Sequence, residues 1–99
     1  MTYRELFHRT DHTTCDTIVG HGFRDPHDQR GVWFGETDAY SYGGHGGDWV
    51  VVIEIDPVAA ERFRYVDVAS GDPLDMFVIP ADVANACPRR KYHSPQANE

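Results

Sequence analysis

The run Trp49-Val50-Val51-Val52-Ile53 constrains this chain more than any other stretch. It is the longest apolar run and far too short to span a bilayer. β-Branched residues dominate it, and Asp56-Pro57 closes it, so residues 49–55 read as a strand. The other segments are short and set off by glycine, proline and polar clusters. Residues 3–9 read as a first strand, and Thr10-Asp11-His12-Thr13 supplies capping residues for a short helix over 13–20, stopped at Gly20. That helix is poor by propensity, with four threonines in 10–17, so packing must hold it. Val32-Trp33-Phe34, Phe63–Val68 and Met76–Ile79 read as further strands, Ser70–Pro73 as a turn, Val58–Glu61 as one helical turn and Pro80–Asn85 as a short helix with proline at its first position.

Alternating strand–helix–strand units are missing, so a doubly wound sheet is not expected and an α+β fold fits best. At 99 residues the chain makes one domain, and 40% hydrophobic content supports a modest core. Residues 2–87 form the expected folded unit; residues 88–99 have little to bury and read as a frayed or loosely docked tail. No basic-then-apolar leader opens the sequence, so a cytoplasmic location is expected. Cys15 and Cys87 stand apart and read as free thiols, a 15–87 disulfide being the alternative.

Sixteen acidic residues against nine Lys and Arg give a net charge of −7, which lacks the electrostatic footprint of a general nucleic-acid binder. It leaves room for a small anion held by a few arginines. The six histidines show no metal-ligand spacing, so no metal is expected. No nucleophile motif is present, and the carboxylates are too scattered for a glycosidase pair. The loop from Gly35 to Asp48 carries Tyr40 and Tyr42 among many glycines. It reads either as a connection whose tyrosines cover the core or as a ligand loop whose tyrosines stack on a planar ring. Gly43-Gly44-His45-Gly46-Gly47 lacks the Lys-Ser/Thr ending of a phosphate-binding loop and precedes a strand.

Several segments, in order, resemble the ADP-ribosyltransferase superfamily, in its His-Tyr-Glu branch with the poly-ADP-ribose polymerases and small bacterial relatives. Leu6-Phe7-His8-Arg9-Thr10 stands where that family has a strand ending in His-Gly-Ser/Thr. Ile18-Val19-Gly20-His21-Gly22-Phe23 resembles its helix and return, and Gly31-Val32-Trp33-Phe34 its Gly-Ile/Val-Tyr-Phe. Val50–Ile55 is similar to its apolar strand ending in Glu-Val, and Asp75-Met76-Phe77-Val78-Ile79 to its final strand. The likeness covers about residues 5–85.

The resemblance implies two packed, split antiparallel β-sheets with one short helix, and NAD in the cleft between them. His8 would bond a ribose hydroxyl, the Arg9 backbone would grip the carboxamide, and Thr10 would support the site. Trp33 with Phe34, or Tyr40 or Tyr42, would pack on the nicotinamide ring. Arg9, Arg24 or Arg30 would answer the diphosphate. Met76 takes the place of the catalytic Glu, and Asp75 precedes it on the opposite face unless a bulge or slip turns it inward. The implied function is mono-ADP-ribosyl transfer from NAD to an acceptor that is a protein, a nucleic acid or a small molecule. The alternative is a degenerate module of the same fold that binds NAD, another nucleotide or a protein partner. A weaker kinship is with the tRNA 2′-phosphotransferases, whose large RNA footprint the charge argues against.

Overall fold

The computed structural model describes residues 2–24, 31–37 and 47–95. Its elements run β1 (Arg4–Thr10), α1 (His12–His21), β2 (Val32–Gly35), β3 (Trp49–Ile55), α2 (Pro57–Glu61), β4 (Arg64–Val66), β5 (Pro73–Ile79), α3 (Ala81–Asn85) and β6 (Arg89–His93). The strands form one antiparallel sheet in the order β4-β5-β2-β1-β3-β6. The α+β class holds.

Three expectations change. The sheet is single rather than two packed layers, because the pair Phe7↔Gly35 joins β1 to β2 edge to edge. That seam is thin beside the seven pairs of β1 with β3 and the four of β2 with β5. Three helices are present where the resemblance implied one, and the two added ones, α2 and α3, fall where the residues themselves read as helical, at 58–61 and 80–85. The tail is no frayed end: Arg89–His93 pairs with β3 as an edge strand, Trp49↔His93 through Ile53↔Arg89. Its backbone satisfies the outer edge of β3, a contribution that hydrophobic content alone does not reveal.

Period-2 alternation gives the sheet two faces. One carries Leu6, Phe34, Val51, Ile53, Phe77 and Ile79, and all three helices pack there through Cys15, Ile18, Ala60, Ala81 and Ala84. The opposite face carries Phe7, Arg9, Trp33, Val50, Val52, Met76 and Val78 by the same register. Val50, Val51, Val52 and Ile53 are all buried, so β3 is covered on both faces, which accounts for its unbroken apolar run.

Helix α1 begins at Asp11, whose side chain accepts the Thr14 N–H at 2.7 Å. It passes Gly20 and stops at Gly22, where φ is +93° and the N–H bonds the Ile18 carbonyl. A side chain at Gly20 would meet open space, whereas Gly22 holds a conformation that other residues avoid. Arg89 donates to the Ile18 and Val19 carbonyls at this end of the helix. At the other flank His12 stacks on Trp49, with ring centres 4.4 Å apart, and Asp16 pairs with Lys91 of β6. These ties supply what the threonine-rich sequence of α1 lacks.

Cys15 is buried, Cys87 is half-buried, and both are free thiols. Burial raises both thiol pKa values. No helix among the described residues is long and apolar enough to cross a membrane.

Candidate functional site

His8 stands half-buried on β1, on the helix-covered face. Its Nδ1 lies 2.8 Å from the Trp33 carbonyl oxygen. A carbonyl can only accept, so Nδ1 carries the proton, and in the neutral ring Nε2 is the acceptor nitrogen. Phe23 packs edge-on against the imidazole at 5.8 Å, and Phe34 leans on it at the same distance. His8 therefore crosses the thin seam between β1 and β2 with a side-chain bond, adding to the backbone pair Phe7↔Gly35.

The other residues picked from the sequence do not gather around His8. Arg9 is 4% exposed and its guanidinium is spent on structure: it donates to the Gly47 carbonyl at 2.9 Å, to the Ser94 carbonyl and to Ser94 Oγ. It cannot also hold a diphosphate without breaking that staple. Thr10 is buried, and a Cβ on Gly47 would sit 2.2 Å from the Thr10 carbonyl, so the chain at Gly47 runs hard against the end of β1. Phe34 is fully buried in the core and offers no face to a ligand. Asp75 is exposed on β5, and two strand spacings and two residues of rise put its position on the order of 12 Å from His8. Met76, paired with Gly35, belongs to the opposite face. Tyr40, Tyr42 and Arg30 lie outside the described residues. Arg24 is exposed next to Phe23.

Trp33 also belongs to the face opposite His8. There its ring meets Tyr65 of β4 at 5.2 Å with a 49° tilt. The two aromatics line an open groove of about 620 Å³, with Phe63, Val66, Val78 and Pro80 as apolar walls and Arg62 and Arg64 completing the lining. That volume suits a small organic ligand. Gly31 lets the chain enter β2 beside this groove, since a Cβ there would stand 2.6 Å from the Ile79 backbone.

Arg64 brings its stem to the groove while its guanidinium is committed elsewhere. It bonds Glu36 at 2.9 Å, Glu61 at 2.6 Å and the Leu74 carbonyl at 2.7 Å, and it lies 4.6 Å over the Phe77 ring. Arg4 joins the same cluster through Glu36 and Glu61, 5.0 Å over the same ring. The hydrogen bond from Arg64, reinforced by Arg4, pulls the Glu61 carboxyl down to about 2. The bond to Glu61 likewise raises the Arg64 pKa. Two guanidiniums on one buried aromatic, neutralised by two carboxylates, form a structural ion cluster.

Tyr65 and Arg62 form no motif in the sequence. The one signal was the alternation of Phe63 and Tyr65 against Arg64, which puts Tyr65 and Arg64 on different faces. Among the described residues no group of three or more His, Cys, Asp or Glu is placed to hold a metal ion.

The fold and groove together define a helix-backed antiparallel sheet with an aromatic cleft on its other face. No family model matches the chain, and no curated protein or solved structure matches it.

Proposed function

We propose that this protein is a nucleotide-binding module of the ADP-ribosyltransferase type that does not transfer ADP-ribose. Its ligand, NAD or another nucleotide, stacks a planar ring against the Trp33–Tyr65 pair that lines the groove. One observation carries the choice of binding over catalysis: on the strand where transfer chemistry calls for a carboxylate, the residue sharing Trp33's face is Met76. Met76 itself offers an oxocarbenium-like sugar no negative charge. Asp75, one residue earlier, is on the other face and open to solvent.

In this reading His8 is a positioning residue. It holds the Trp33 backbone, and so the Trp33 ring, from the far side of the sheet. The test is to titrate NAD by calorimetry into the protein and into Trp33→Ala, and to assay nicotinamide release in parallel. Saturable binding that Trp33→Ala abolishes, with no nicotinamide released, is the expected result. Release of nicotinamide would reinstate the transferase reading, and absence of binding by NAD and by the mononucleotide AMP alike would overturn both.

A further inference from the structure

We infer that the groove selects a planar ring carrying a single phosphate, a mononucleotide, and that Arg62 is the residue that recognises the phosphate. The inference rests on the nucleotide-binding reading above and narrows it. Most of the cations among the described residues are already committed. Arg4 and Arg64 are held by Glu36 and Glu61. Arg9 is buried against Gly47 and Ser94. On β6, Arg89 serves the end of α1, Arg90 pairs with Glu5 and Lys91 with Asp16.

Arg62 differs from all of these. It lines the groove beside Tyr65, it is exposed, and its guanidinium has no ion-pair or hydrogen-bond partner among the described residues. Arg24 is exposed too but does not line the groove.

A guanidinium fork matches one phosphate with two parallel N–H···O bonds. One fork satisfies one phosphate, and among the described residues no second uncommitted cation lines the groove. The two aromatic rings meanwhile give a base its stacking surface, which is sequence-tolerant and charge-independent. Ring and phosphate thus have separate partners: Trp33 with Tyr65 for one, Arg62 for the other.

The experiment is isothermal calorimetry of the full chain with adenosine, AMP and NAD, in the native protein, Arg62→Gln and Trp33→Ala. AMP should bind about tenfold tighter than adenosine, the weight of one charged hydrogen-bonded contact. NAD should bind no tighter than AMP. Arg62→Gln should erase the AMP preference and leave adenosine binding within about twofold. Equal binding of AMP and adenosine to the native protein, or an AMP preference that survives Arg62→Gln, overturns the role of Arg62. NAD binding tighter than AMP overturns the single-phosphate inference and leaves the nucleotide reading standing. If none of the three compounds gives binding that Trp33→Ala removes, the nucleotide reading fails, and this inference with it.

Discussion

The imidazole of His8 donates from Nδ1 to the backbone carbonyl of Trp33, 2.8 Å away, across the one place where the six-stranded sheet has a single residue pair. The bond reaches the Trp33 main chain from one face while the Trp33 side chain works on the other. Substituting His8 and substituting Trp33 should therefore give different phenotypes.

His8→Phe keeps a ring against Phe23 and Phe34 but removes the Nδ1 donor to the Trp33 carbonyl. The expected cost is about 1–3 kcal/mol in urea denaturation. Ligand affinity should fall only modestly, because the stacking ring survives. Trp33→Ala should show the reverse: affinity lost, with the carbonyl bond retained. If His8→Phe unfolds at the native urea midpoint, the seam does not depend on the imidazole.

Acid should weaken the Arg4–Glu36–Glu61–Arg64 cluster within a defined window. The Glu61 carboxyl sits at about 2 in the folded protein against an ordinary 4.5, chiefly through its bond from Arg64. A depressed folded pKa means that the stabilisation is fully present above the ordinary value and lost as pH falls through the folded one. The melting-temperature gap between the native protein and Glu61→Gln should stay constant from about pH 7 to about pH 4.5, then shrink toward about pH 2. A gap that does not change across the acid range would show that the ion pairs contribute nothing measurable.

Gly22 and Asn85 should behave as one unit. Asn85 accepts the Phe23 N–H at 2.6 Å and donates to the Phe23 carbonyl at 3.0 Å, tying the exit of α1 to α3. A Cβ on Gly22 would stand 2.8 Å from Asn85 Oδ1, at a φ of +93°. Asn85→Ala should cost about 1–3 kcal/mol through the stranded Phe23 groups. Gly22→Ala should cost about as much through backbone strain and the displaced amide. Both lose the same tie, so the double variant should be milder than the sum of the two. Strict additivity would mean that the sites are independent.

A chain ended at Cys87 should not fold cooperatively. It lacks β6, which leaves the β3 edge unpaired, and it lacks Ser94, which leaves the buried Arg9 guanidinium without two of its acceptors. Sedimentation and circular dichroism are expected to show aggregation or a broad melt. A sharp melt near that of the full chain would show that β6 is dispensable.

Much of the fold was legible in local pattern. The Trp49–Ile55 strand appears with the same bounds in sequence and structure, because β-branching and Asp56-Pro57 define it without help from tertiary context. The helix after Asp11 was legible from its cap, but its end moved from Gly20 to Gly22, since only the return toward Phe23 decides which glycine takes the positive φ. Arg89–His93 read as tail because its residues are polar. It becomes a strand through main-chain pairing and through ion pairs to residues 75 and 85 positions away, which no local window contains. The shared cleft expected for His8 and Trp33 was not legible, because it depends on strand register. The register Phe7↔Gly35 sends the His8 and Trp33 side chains to opposite faces. Arg9 looked like a cofactor contact because nothing nearby in sequence announces Ser94.

The Arg9–Ser94 bond joins residues 85 positions apart, and β1 rests between two strands that both follow it in sequence. The order of assembly follows. Of the six strands, β6 is the last to emerge during synthesis, and until it docks the Arg9 guanidinium lacks its two Ser94 acceptors. The β1–β3–β6 half must then form by ring closure rather than by zippering outward from a hairpin, which makes for slow folding. During that delay the bare edge of β3, with the most apolar run of the chain beside it, is the surface a chaperone would meet.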